Sequence, residues 1–207
     1  MEIVGGRSME GSFFYFFCWG GWIIATFVME KNRERIVTAA FLLLLIIAAS
    51  VKIPIGVFQM NGSCIVLILY GFCLLALHTT WKIIYAIISA TIVGMIYATF
   101  HLIELYDPVW IAVNRMWMLS GMLVYGVILL VRERRMRIAV LFIGMVQGEW
   151  FVAFVLKKFG FHNEVGAYSF LDVLACSIGL MYSLQLLFKG FMYLEQLKQK
   201  QVRERQG

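Results

Sequence analysis

Seven apolar stretches separated by short polar gaps run along the chain, covering residues 11–29, 36–51, 61–80, 83–105, 111–131, 138–156 and 168–188. They are continuous runs and do not alternate apolar with polar, which argues for helices surrounded by lipid, not half-buried strands. The pattern predicts an all-α, polytopic transmembrane bundle of seven spans. The second stretch is short: sixteen residues make only about 24 Å of helix against a hydrocarbon layer of roughly 30 Å. It is therefore expected to continue past Lys52, whose stem can snorkel to the interface. Trp81 and Trp110 flank the fourth stretch, where interfacial rings belong.

The polar gaps carry a second pattern. Alternate gaps hold Lys31, Arg33 and Arg35; Lys82; Arg132, Arg134, Arg135 and Arg137; and Lys189, Lys198, Lys200, Arg203 and Arg205. The other gaps hold Arg7, Lys52, Lys157 and Lys158, and Arg115 falls inside the fifth stretch. Short basic loops stay cytoplasmic, so thirteen against four of the eighteen Lys and Arg place the N-terminus outside and the C-terminus inside. Glu2 and Glu10 with a single Arg7 do not make the basic start of a cleaved leader, and the first stretch reads as a retained span. Met9 is a second candidate start, giving 199 residues (207 minus 8) without losing a span. Residues 1–188 thus form the seven-helix domain and 189–207 a basic cytoplasmic tail. Phe191, Leu194 and Leu197 recur there at helical spacing, as in a helix lying on anionic headgroups or touching a partner; a frayed tail is the alternative.

Composition agrees. The chain is 62% hydrophobic and 14% charged, against about 25% charged in soluble domains. Its net charge of +6 flanks membrane spans, so lipid explains it better than nucleic acid. Cys18, Cys64, Cys73 and Cys176 lack metal-ligand spacing. Cys18 and Cys64 both lie toward the outer side, where a disulfide can form, but buried thiols are the favoured reading.

Small residues mark packing faces. Ala86, Ala90, Gly94 and Ala98 recur every fourth position, Gly144 and Gly148 form a GxxxG, and Asp172, Ala175, Cys176, Gly179 and Ser183 share one face. Such stripes let helices approach closely. Internal packing is favoured over a homodimer face.

Ionisable residues inside the spans are the main functional lead, because they are costly to place in lipid. Arg115 lies beside Asn114, Glu149 near Gln147, and Asp172 in the last span, while His101 and Glu104 extend the small-residue face of the fourth. If these helices are neighbours, the five form a polar cluster in the outer half of the bundle. Arg115 would pair with Asp172 or Glu149, freeing one carboxylate for a proton or cation. The competing reading is an ion pair that only fixes helix register. Motifs for zinc hydrolysis or a serine nucleophile are missing, the seventh stretch has no lysine for a retinal Schiff base, and His78, His101 and His162 fall on different levels. Pro54 and Pro108 lie in outer loops, which predicts unbroken helices and argues against discontinuous-helix ion sites. No cofactor is implied.

The stretch MEGSFFYFFCWGGWIIATFVMEKNRER from Met9, the loop RERRMR and the tail EQLKQKQVRERQ resemble the YphA family, small multi-pass membrane proteins of spore-forming bacilli. The resemblance covers residues 9–207. It implies a bacterial plasma membrane and carries over no activity or site residue. The expected function is non-enzymatic, with a lipid bilayer and a membrane-protein partner or second copy as candidate partners in the cell envelope. A small transporter or channel for a proton, cation or polar solute is the alternative, and a membrane enzyme or sensor with an outward pocket comes third.

Overall fold

The computed structural model describes residues 10–56, 58–107, 114–160 and 164–206. Trp110, Pro108, His162, Arg7 and residues 111–113 of the fifth stretch lie outside them. Helix α1 covers Ser12–Ile23 and continues as a π-helical turn, Ile24–Val28. Then come α2 (Arg33–Ala49), strands β1 (Lys52–Ile55) and β2 (Phe58–Asn61), α3 (Gly62–Leu75), α4 (Thr80–Tyr106), α5 (Arg115–Leu130), α6 (Arg134–Lys158) and α7 (Tyr168–Gln206). Helix α4, helix α6 and the Tyr168–Tyr193 part of α7 are each long and apolar enough to cross a membrane. Ser12–Val28, Gly62–Leu75 and Arg115–Leu130 are shorter apolar helices.

Side-chain contacts give the helix directions. Gly94 meets Gly144 and Gly148 while Tyr97 meets Gly148, so α4 and α6 run parallel. Arg115 reaches His101 and Tyr85 reaches Leu130, so α5 runs antiparallel to α4. Phe41 stacks on Tyr70 while Asn61 bonds Ala49, making α2 and α3 antiparallel. Asp172 meets Gly11 and Gly179 meets Phe17, so α7 runs with α1. Successive helices therefore alternate in direction. One end of the bundle collects Lys52, Glu104, Arg115, Glu164 and Asp172; the other collects Glu34, Lys82, Glu133, Arg134 and Arg135.

Helix α6 is the hub. Its buried run from Ala139 to Val146 packs α4 on one side and α3 on another, with Leu67, Val93, Leu123, Leu141 and Met145 completely enclosed. The outside is apolar too: Phe16, Phe27, Leu129 and Leu186 are each at least 70% exposed, as lipid-facing side chains should be.

Several sequence expectations change. The second stretch does not continue as helix past Lys52, because α2 stops at Ala49 and the chain turns into an antiparallel hairpin with Lys52 opposite Asn61 and Ile55 opposite Phe58. Ile53, Ile55, Phe58 and Met60 alternate with other residues at the period of a strand, and Pro54 cannot donate to a helix. Val165 joins this hairpin through Asn61 N–H to its carbonyl (2.9 Å) and its own N–H to Gln59 (2.8 Å), and the Lys52 ammonium holds the Glu164 carboxylate at 2.6 and 2.7 Å. Nor are the helices all regular, since Met29 N–H bonds Ile24 in the π pattern. Arg115 is the first residue of α5, not an interior one, and the Asn114 side chain caps the helix by accepting from Met116 N–H at 3.1 Å. The tail continues α7 as one helix of 39 residues. Cys18 and Cys64 are free and buried, with no disulfide.

Candidate functional site

The small residues bring α4 and α6 close enough to build a site between them. Ala86 and Ala90 are fully buried and Ala98 nearly so. A methyl group on Gly94 would sit 2.8 Å from the Gly144 carbonyl oxygen, and one on Gly144 would sit 2.7 Å from that of Ala90. Backbone meets backbone here, so the stripe and the GxxxG are consumed inside the bundle. Gly179 likewise meets the Phe17 ring of α1.

Just above this seam, counting toward the hairpin end, Tyr97 is 1% exposed and its hydroxyl donates to Glu149 Oε1 at 2.7 Å. The Gly166 backbone amide lies against the same carboxyl. Gly166 has φ +80°, and a Cβ there would fall 2.3 Å from Cys64 Sγ, so only glycine lets the linker come this near. One turn on, the His101 ring packs on Tyr97 with centroids 4.4 Å apart. Arg115 donates to His101 Nδ1 at 2.9 Å and its Nε contacts Glu104 Oε2 at 3.0 Å. A guanidinium only donates, so Nδ1 accepts and the ring proton sits on Nε2. That nitrogen is buried and has no hydrogen-bond partner among the described residues.

Arg115, Glu104, His101 and Glu149 are thus brought into one neighbourhood and Asp172 is not. The expected pairing of Arg115 with Asp172 or Glu149 is corrected: its partner is Glu104, because a residue at the start of α5 faces the last turn of α4. Asp172 instead accepts from the backbone N–H of Gly11 (2.6 Å) and of Phe14 (2.8 Å). It caps α1 from 161 positions away, where the helix dipole favours an anion.

Tyr97 was not among the sequence candidates. The signal was present: it stands three residues after Gly94 and four before His101, on the face that carries both. A tyrosine in an apolar run otherwise reads as packing.

At the opposite end, Glu133 accepts from Lys82 Nζ at 2.5 Å and contacts His78 Nε2 at 3.0 Å. Glu34 pairs with Arg135. The Lys82 hydrogen bond, aided by that of His78, holds the Glu133 carboxyl below its usual range. Glu133 also lines a cleft of about 420 Å³, together with Lys82, Tyr85, Leu129, Leu130, Arg132 and Met136.

Residues 10–207 match the family model of YphA-like integral membrane proteins. The chain belongs to the YphA-like family. A Bacillus subtilis (strain 168) relative, described as "Uncharacterized protein YphA", is 29% identical over 202 residues, covering 96% of this chain and 98% of its own. No solved structure matches the chain. As a YphA-like protein it is a multi-pass integral protein of the bacterial plasma membrane.

Proposed function

We propose that this YphA-like protein crosses the membrane seven times, N-terminus outside and tail inside, and acts without catalysis by binding anionic lipid at its cytoplasmic face. Alternating helix directions support the crossings. The gathering of Lys82, Arg132, Arg134, Arg135 and Arg137 at the end from which α7 extends supports the orientation. At 1.5 Å per residue α7 is about 58 Å long, nearly twice the hydrocarbon thickness, so its basic last turns reach into the headgroup region and beyond.

The cleft at Glu133 carries the lipid reading. Lys82 is paired there with Glu133, and Arg132 adds a further cation beside the apolar walls of Leu129, Leu130 and Met136. A phosphate headgroup on acyl chains has that combination of charge and hydrocarbon. A second, apolar groove of about 220 Å³ between α5 and α7, lined by Gly121, Val124 and Leu180, suits an acyl chain. Native mass spectrometry of protein exchanged into phosphatidylglycerol or phosphatidylcholine tests this. Anionic lipid should be retained preferentially, and Arg132→Ala should lose the preference. Equal retention of both lipids by the wild type would refute it.

A transport role is the second reading, favoured by Glu149, a carboxylate held inside the bundle by Tyr97.

A further inference from the structure

Glu149 is an acid whose surroundings do not compensate a charge. It receives one hydroxyl, from Tyr97, and lies near one backbone amide, from Gly166. No cation lies within ion-pair distance of it among the described residues; Arg115, whose charge reaches it, is engaged by Glu104. Burying an uncompensated carboxylate is costly, and the cost is removed by taking up a proton. His101 stands one turn nearer the hairpin end, packed on the Tyr97 ring. Its Nδ1 accepts from Arg115, and its enclosed Nε2–H has no hydrogen-bond partner among the described residues.

We propose that Glu149, held by Tyr97, forms a proton-binding site inside the bundle, loaded from the hairpin end past His101 and the Arg115–Glu104 pair. The burial gradient supplies the route: side-chain exposure falls from 47% at Arg115 through 20% at Glu104 to 13% at His101, and Tyr97 beneath them is 1% exposed. The titratable and charged groups that face Glu149 are the neutral Tyr97 hydroxyl on α4, the Arg115 guanidinium on α5 and the neutral Cys64 thiol on α3. Arg115 repels a second cation, and with a single carboxylate at this depth the donors suit a proton rather than a metal ion. The proposal deepens the transport reading but does not require net transport. It is independent of the lipid cleft, so its failure leaves that reading intact.

Infrared difference spectroscopy of the full-length protein in nanodiscs, titrated through the neutral range, reads the site directly. A carboxylic C=O band should grow as the pH falls and be missing in Glu149→Gln. In Tyr97→Phe it should move to higher frequency, since the carbonyl loses its hydrogen bond. Labelling of the wild type by dicyclohexylcarbodiimide, which adds to protonated carboxyls in apolar surroundings, needs no variant. Mass spectrometry should place the adduct on Glu149, with yield falling as the pH rises. A band and yield constant across that range, or no band and no adduct at any pH, would overturn the proposal.

Discussion

Adding one methyl group to Gly144 tests the α4–α6 seam on which the internal site is built. The new Cβ would lie 2.7 Å from the Ala90 carbonyl oxygen and 3.0 Å from Val93 Cβ, where ordinary contact begins at 3.4 Å. The obstructing atom at Ala90 belongs to backbone and cannot rotate away, so the helices must separate by about 0.7 Å. A gap of that size forfeits a quarter to a half of each dispersion contact, each worth ~0.1–0.2 kcal/mol. If the seam has about as many atom pairs as one buried leucine, the loss is on the order of 2 kcal/mol, in the range of other over-packed interiors. Alanine also gains about 1 kcal/mol of helix propensity over glycine, leaving Gly144→Ala a net destabilisation of about 1 kcal/mol. Gly121→Ala is the control. Its added methyl meets nothing within 4 Å, so it keeps the propensity gain alone. The difference between the two variants, about 2 kcal/mol or up to thirtyfold in the folded ratio, isolates the seam. Unfolding in detergent, followed by circular dichroism, measures it. Gly144→Ala as stable as Gly121→Ala would refute the close approach of the two backbones.

The remaining predictions concern charges. Asp172→Ala should cost about 3–6 kcal/mol by removing two hydrogen bonds to a charged acceptor and Asp172→Asn less, read by the same unfolding assay; a silent Asp172→Ala would show that α1 needs no cap. Arg115→Ala should cost under about 1 kcal/mol, because the pair with Glu104 is partly solvated. A double-mutant cycle should show coupling with Glu104→Gln and none with Asp172→Asn. The Glu133 carboxyl is held below its usual range by Lys82 and His78, so its contribution is present above the unfolded carboxyl value, about 4.3, and is lost as pH falls through the lower folded value. Amide protection in the connection before α4, taken relative to the intrinsic exchange rate at each pH, should therefore fall in acid, and in Glu133→Gln it should already be low at neutral pH.

Hydropathy made the helices legible, since a helix surrounded by lipid must be apolar along its length. The small residues of the fourth and sixth stretches were legible for the same reason: lipid gives helices no cause to associate except close packing. What escaped was set by neighbours distant in sequence. The hairpin at 52–61 has strand periodicity in Ile53, Ile55, Phe58 and Met60, but a continuation of the short second span masked it. Asn114 signals a helix start, and taking Arg115 as interior aimed it at the wrong carboxylates. The role of Asp172 depends on the start of α1, which no local pattern connects to α7.

Sidedness of two cysteines tests the seven-crossing topology most directly. Gln59 in the hairpin and Gln196 late in α7 are both exposed, with five helices (α3 to α7) beginning between them. A membrane-impermeant maleimide applied to intact cells should label Gln59→Cys above the wild-type background, whereas Gln196→Cys should react only after lysis. Labelling of both positions in intact cells, or of Gln196→Cys alone, would contradict seven alternating crossings with a cytoplasmic tail.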